Sequence, residues 1–142
     1  MKIPELTEAQ RERIEKMLET VPFARLLGIQ LDSVEPGHAV LSMRVREEFK
    51  QNHGVVHGGA IASLIDSATA FAILPLLAEN ERTTTVDLTI HYLRPLTEGS
   101  ARASARVLRA GRRVITVSAE LFDEQGNLAA TALSTYLRLS HG

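Results

Sequence analysis

The chain contains no cysteine and no tryptophan. Without a thiol there can be no disulfide, no thiolate metal site and no cysteine nucleophile, and a reducing cytoplasm is the expected compartment. Aromatic residues are scarce, at four phenylalanines and two tyrosines, which leaves few platforms for stacking bases. No sign of charge dominates either. Sixteen basic residues face seventeen acidic ones along the whole length, so no basic footprint for nucleic acid exists and no such partner is expected. The opening Met1-Lys2-Ile3-Pro4-Glu5-Leu6 lacks the basic-then-apolar order of a secretory signal. A membrane span needs about 20 predominantly apolar residues. The most apolar stretch, 60–78, holds Asp66 and Pro75, so no membrane partner is expected. No GxSxG elbow surrounds Ser63 or Ser67, which read as packing hydroxyls, and no HExxH is present.

What is there suits one domain, 1–142, long enough to bury a core without staples. Residues 7–20 are mostly charged, with Ile14, Met17 and Leu18 at helical spacing and Thr7 placed to cap them. A short helical turn over 23–27 ends at Gly28, so 1–27 reads as an N-terminal helical segment packed on the domain. Ile29 and Leu31 begin one strand. Ala39, Leu41, Met43 and Val45 alternate with Ser42, Arg44 and Arg46 in the next, across the turn residues Glu35-Pro36-Gly37-His38. Residues 47–56 break the alternation and read as a loop.

One long helix is expected over 58–77. Ile61, Ile65, Ala68, Ala72 and Leu76 fall on one stripe, alanine fills much of the rest, and Pro75 should kink or end it. Strands follow where Val86, Leu88, Ile90 and Tyr92 alternate with Thr85, Asp87, Thr89 and His91, and again over 101–108, 113–122 and 128–137. The short connections at 94–99, 110–111 and 123–127 favour antiparallel neighbours. The expected class is α+β, an antiparallel sheet of about six strands wrapped around one long central helix. Such a sheet leaves open edges, and pairing with a second copy is expected.

The informative run is Gln51-Asn52-His53-Gly54-Val55-Val56-His57-Gly58-Gly59, followed by Asp66. A His-Gly-Gly opening the buried helix leaves first-turn N–H groups without intrahelical partners, at the positive end of the macrodipole. Glycine lets a substrate oxygen come close to that N–H. A carbonyl held against Gly58 would be polarised and its oxyanion stabilised. Asp66 lies eight residues further on, and at helical rise the two are roughly 12 Å apart along the axis. That is too far for both to touch one reacting carbon within a chain. If both act, Gly58 comes from one subunit and Asp66 from another, with two helices antiparallel across a two-fold axis.

This run and the strand Val86-Asp87-Leu88-Thr89-Ile90-His91-Tyr92-Leu93-Arg94-Pro95 resemble the hotdog-fold thioesterases. The nearest likeness is to the phenylacetic-acid-degradation (PaaI-like) branch and its mammalian acyl-CoA relatives, and it covers the chain from Phe23 onward. The resemblance implies hydrolysis of an acyl-CoA to free acid and CoA with water and no cofactor or metal, in a homodimer assembled into a homotetramer. It casts Asp66 as general base or nucleophile, Gly58 as oxyanion donor, His57 as the residue positioning loop and thioester, and Gln51 as the side chain holding water or thioester. Thr85 matches a strand position that bears a supporting hydroxyl in some relatives. Asn52 and Gly59, in the same motif, are candidate substrate contacts. Two departures leave subfamily and acyl group open: a Gln at the position of Gln51 more often accompanies a catalytic Glu, whereas this chain has Asp66, and Ala70 replaces a Ser or Thr that some Glu-type members use.

Other readings compete. His53 and His57 are four apart but lack an evident third metal ligand. Arg109, Arg112 and Arg113 flank a tight turn and could clamp CoA phosphates, or could be a solvated hairpin tip. His38 and His91 have no functional reading. Against hydrolysis stand a hotdog enoyl-CoA hydratase or dehydratase and a non-catalytic acyl-CoA-binding module.

Overall fold

The computed structural model describes residues 4–140. Met1 to Ile3 of the expected N-terminal segment, and His141 and Gly142, lie outside the described residues.

The first helix, α1 (Glu8–Thr20), starts on a reciprocal cap. Thr7 Oγ1 accepts from the Gln10 N–H at 3.1 Å while Gln10 Oε1 accepts from the Thr7 N–H at 2.8 Å. Of its apolar stripe Ile14 and Leu18 are buried, whereas Met17 stays exposed. A one-turn helix, α2 (Pro22–Leu27), follows, one residue earlier than expected because proline suits a helix start. It stops at Gly28, whose φ of 71° an L side chain resists.

Six strands, β1 (Gln30–Glu35), β2 (His38–Arg44), β3 (Glu81–Tyr92), β4 (Ser100–Ala110), β5 (Val114–Phe122) and β6 (Leu128–Ser140), form one antiparallel sheet in the order β1-β2-β4-β5-β6-β3. The sheet's inner face is lined by small residues: Ala39, Ala101, Ala103, Ala105, Ala119 and Ala130 are all buried. They let the central helix, α3 (Gly58–Ile73), lie close against β2, β4 and β5. By length and composition Gly58–Leu76 could cross a bilayer. Here the sheet occupies its apolar side. The α-helix ends at Ile73 and tightens into a 3-10 turn, Leu74–Leu76, because Pro75 has no N–H to continue the ladder.

Two expectations are corrected. The connection 94–99 is not a hairpin, since β5 and β6 lie between β3 and β4 in the sheet. Pro95 and Gly99 bend the chain locally and carry no information about which strands then pair. The segment instead crosses the end of the sheet, with Leu96 buried and its carbonyl accepting from the Val56 N–H at 2.8 Å. The second correction concerns β3, which begins at Glu81 rather than near Thr85. Thr83 and Thr84 lack apolar alternation, but β-branched polar residues suit an edge strand facing water.

A bulge in β3 decides which of its side chains reach the central helix. Register shifts between Thr85 and Asp87, leaving Val86 unpaired and 60% exposed. Simple alternation would put Thr85 on the face opposite Leu88. The extra residue instead brings Thr85, opposite Tyr136, onto the same inner face as Leu88 opposite Ser134 and Tyr92 opposite Ala130. The edge strand thereby presents Thr85 and Tyr92 to α3.

Candidate active site

The helix start is built by the loop before it. Residues 47–56 form a closed turn: a 3-10 segment, Glu47–Phe49, buries Phe49, and Lys50 bridges Val56. Gln51 N–H donates to the Val55 carbonyl at 2.8 Å, and His57 N–H to the Phe49 carbonyl at 2.7 Å. His57 is the N-cap, and its Nδ1 accepts from the Gly59 N–H at 2.8 Å. A ring nitrogen that accepts carries no proton, so the neutral ring bears its proton on Nε2. Between them Gly58 makes no N–H hydrogen bond among the described residues. That donor points away from the helix at its positive end.

Gly58 and Gly59 are required for space. A Cβ on Gly58 would lie 3.1 Å from Cζ and Oη of Tyr92, and one on Gly59 would lie 3.0 Å from His57 Nδ1. Tyr92 closes over the first turn and donates its hydroxyl to the Gly58 carbonyl at 2.9 Å. Gln51, Gly58, Ile61, Tyr92, Leu93 and Pro95 line a shallow cleft there. Gln51 is thus brought beside Gly58, whereas Asn52 sits exposed in the preceding turn and does not line the cleft.

Asp66, half-buried, is held from two strands. Thr85 Oγ1 donates to Oδ1 at 3.0 Å, and the Tyr136 hydroxyl lies 3.3 Å from Oδ1 and 3.1 Å from the Asp66 carbonyl oxygen. Thr69 Oγ1 stands 2.7 Å from the Tyr136 hydroxyl. Burial pushes the Tyr136 phenol up to about 12, so it stays protonated. Oδ2 of Asp66 has no hydrogen-bond partner among the described residues. Tyr136 is a site residue that sequence reasoning missed. Its only signal is its place opposite Thr85, which depends on the register of β3 against β6 and on the bulge.

Asp66 and Gly58 share one helix, so the chain keeps them roughly 12 Å apart along its axis. Arg112 and Arg113 stand further off. They cap the β4–β5 hairpin beside Glu81 and Arg138, at the end of β3 opposite Tyr92. At strand rise that separates them from the Gly58 cleft by roughly 35 Å. The arginines therefore do not join Gly58 and Gln51 within one chain, and they lie toward the Asp66 end. In that corner Arg138 is engaged, donating to Glu81 at 3.0 Å and to the Gly111 carbonyl at 2.9 Å. No ion pair engages Arg112 or Arg113 among the described residues. Ser63 and Ser67 donate to carbonyls one turn back, at 2.8 Å each, so both hydroxyls are occupied within the helix. No group of three or more His, Asp or Glu is placed to hold a metal among the described residues.

Comparison with known proteins adds to this geometry. The sequence model of the thioesterase superfamily matches residues 53–130, which include His57, Gly58, Asp66 and Thr85. The human protein acyl-coenzyme A thioesterase 13 is 32% identical over 133 residues, spanning 92% of this chain and 94% of that protein. The Escherichia coli medium/long-chain acyl-CoA thioesterase YigI is 31% identical over 132 residues, spanning 82% and 85%. Among solved structures, the PaaI protein of the E. coli phenylacetic acid degradation operon superposes with a TM-score of 0.83 at 28% identity, covering 93% of each chain.

Proposed function

The chain belongs to the thioesterase superfamily, and on that premise we propose that it hydrolyses acyl-CoA thioesters carrying small aromatic or medium-chain acyl groups, at composite sites across a homodimer. The observation that carries this reading is the unpartnered Gly58 N–H on a helix start that His57 caps and Tyr92 closes. It is a preorganised donor for an oxyanion, and it needs no reorganisation when charge develops. The names of the E. coli and human relatives support acyl-CoA as the thioester.

The second copy supplies the carboxylate. β3 is an edge strand with one hydrogen-bonding side unpaired by its own sheet. Its inner face carries Tyr92 against Gly58 near one end and Thr85 against Asp66 seven residues earlier. Antiparallel pairing of two β3 strands about a two-fold axis near Leu88 and Thr89 sets Thr85 of one copy opposite Tyr92 of the other. Each Asp66 then approaches the Gly58 of its partner copy, and Gln51 and His57 flank the same thioester. Asn52, Gly59 and the arginines Arg112 and Arg113 are left to the CoA portion, the latter from the Asp66-bearing subunit. Leu133, Leu137 and Leu139, exposed on the sheet's outer face, favour stacking of two dimers into a tetramer. The cytoplasm is the proposed location, in keeping with a chain that uses no disulfide.

The chemistry balances in either of two ways. Asp66 takes a proton from water as the water oxygen attacks the carbonyl carbon; the oxyanion rests on Gly58 N–H; collapse breaks the C–S bond, and the departing thiolate takes the proton back. Alternatively the carboxylate attacks, expels CoA thiolate as a mixed anhydride forms, and water hydrolyses the anhydride. Both consume one water and release acid and CoA, and no cofactor enters.

The test is thiol release with a dithiobis-nitrobenzoate readout over acetyl-, hexanoyl-, lauroyl-, phenylacetyl- and hydroxybenzoyl-CoA. The protein has no cysteine to contaminate the signal. Asp66→Ala and Asp66→Asn should lower turnover about a hundredfold to ten-thousandfold, the range of a lost acid–base group. Near-normal turnover in both ends the Asp66 assignment. Tight binding with no CoA release points to a binding module, and hydration of crotonyl-CoA to a hydratase.

A further inference from the structure

We infer that Tyr136 is a positioning residue for the reaction: with Thr85 it holds Oδ1 of Asp66, and so assigns Oδ2 as the oxygen that takes the proton from water or attacks the thioester. The inference rests on the reading of Asp66 as the reacting carboxylate.

The hydroxyl is what calls for explanation. Tyr136 is only 2% exposed, with its ring in the core of the sheet. A phenylalanine would fill that volume without burying a polar group, and burying a hydroxyl is costly unless it is hydrogen-bonded. Here the oxygen meets three acceptors or donors, all on one turn of α3: Thr69 Oγ1, the Asp66 carbonyl and Asp66 Oδ1. None of them belongs to the apolar core. The phenol thus reaches out of the core to the one carboxylate of the central helix.

Two protons serve this cluster, and their order can run two ways. In one, Tyr136 donates to Thr69, which donates to the Asp66 carbonyl at 2.8 Å, and nothing from this pair reaches the carboxylate. In the other, Thr69 donates to Tyr136 and Tyr136 donates toward Asp66. In the second order the Tyr136 proton lies between two acceptors of one residue, the Asp66 carbonyl at 3.1 Å and Oδ1 at 3.3 Å, and so reaches the carboxyl group. Thr85 adds its own donor to the same oxygen at 3.0 Å. With two donors on Oδ1 the carboxyl plane cannot rotate freely, and Oδ2 is presented outward at a fixed angle. Fixed orientation matters because small displacements of a reacting group cost turnover steeply. Tyr136 is also the only titratable side chain within hydrogen-bonding distance of Asp66 among the described residues. Among the described residues no cation pairs with Asp66.

The experiment compares Tyr136→Phe with Asp66→Asn in the full chain, on the acyl-CoA of the panel that is turned over fastest. Tyr136→Phe removes one oxygen and keeps the ring. Expected is a fall in kcat of about 10- to 100-fold, the scale of one hydrogen bond to a charged group, with KM unchanged. The split between kcat and KM is the readout: a residue that merely packed the core would lower the melting temperature and leave kcat of the folded protein in place. Thr69→Val, which removes the proton relayed to Tyr136, should lower kcat by less, again with KM unchanged, and serves if Tyr136→Phe folds poorly. Unchanged kcat in Tyr136→Phe, with Asp66→Asn inactive, overturns the role of Tyr136 and leaves Asp66 standing. Full activity in Asp66→Asn overturns both.

Discussion

The two halves of the candidate site are made in different ways. At the helix start, His57, Gly58 and Gly59 are neighbours in sequence, and the chemistry comes from a backbone N–H that any residue but proline would carry. At the carboxylate, Asp66, Thr85 and Tyr136 come from three elements and are drawn together only by strand register and a bulge. The first half depends on what is missing, a side chain at Gly58. The second depends on added hydroxyls around one oxygen. A backbone donor is hard to delete by mutation and easy to obstruct, whereas a side-chain network can be dismantled one oxygen at a time.

Obstruction should have a larger effect than removing any one of the hydroxyls that hold the carboxylate. Gly58→Ala places a methyl 3.1 Å from the Tyr92 phenol, tighter than its neighbour tolerates without moving. Tyr92 would have to release the Gly58 carbonyl, and the methyl would crowd the open N–H. Turnover should fall about a hundredfold to a thousandfold, as when an oxyanion donor is lost, while overpacking lowers stability by about 1–3 kcal/mol. Steady-state kinetics beside a thermal melt check this. Wild-type turnover with an unshifted melt would show that Tyr92 retreats freely, and the contrast between the halves would collapse.

The carboxylate half leaves a mark on stability at high pH. The Tyr136 phenol is raised from 10.0 to about 12 by burial, so its neutral form is favoured in the folded chain. The stabilisation is fully present below about pH 10 and is lost as pH rises toward 12, because the unfolded tyrosine ionises first. Two units correspond to roughly 2–3 kcal/mol. Denaturant unfolding at several pH values should show that decline, and Tyr136→Phe should flatten it. An equally steep decline in the variant would mean that other groups carry the alkaline limb.

This contrast also explains how much could be read from sequence. The helix start was legible because its parts are contiguous: a run of loop residues, His-Gly-Gly, then an apolar helical period. Six strands and one central helix followed from alternation and turn chemistry. The strand partners did not, because Pro95 and Gly99 announce a bend without saying whether the chain turns back or crosses the sheet. Alternation in β3 also concealed the site. Val86 continues the apolar pattern of Leu88 and Ile90 yet is the bulged, exposed residue, and the inward-facing position falls to polar Thr85. No local property marks a bulge that exists because β6 pairs there. Tyr136 was invisible for the same reason: in sequence it is one more residue of a strand, and its meaning lies in what stands opposite.

The finest test falls on His57, whose two ring nitrogens separate capping from chemistry. Nδ1 caps the helix by accepting from Gly59 N–H, and Nε2 carries the proton that could meet the thioester. His57→Ala removes both and should cost about 1 kcal/mol of stability, the usual value of an N-cap. His57→Asn restores a good cap, since an asparagine oxygen accepts the same bond, but carries no N–H where Nε2 stood. If His57 acts only as a cap, Asn should recover the melting temperature and the turnover together. If its Nε2–H helps to position the thioester, Asn should recover the melt alone, with KM for the acyl-CoA still raised. The reading of the helix start as a backbone device predicts the first pattern; recovery of stability without recovery of KM would place a side-chain donor in that half too, and make the two halves more alike than their construction suggests.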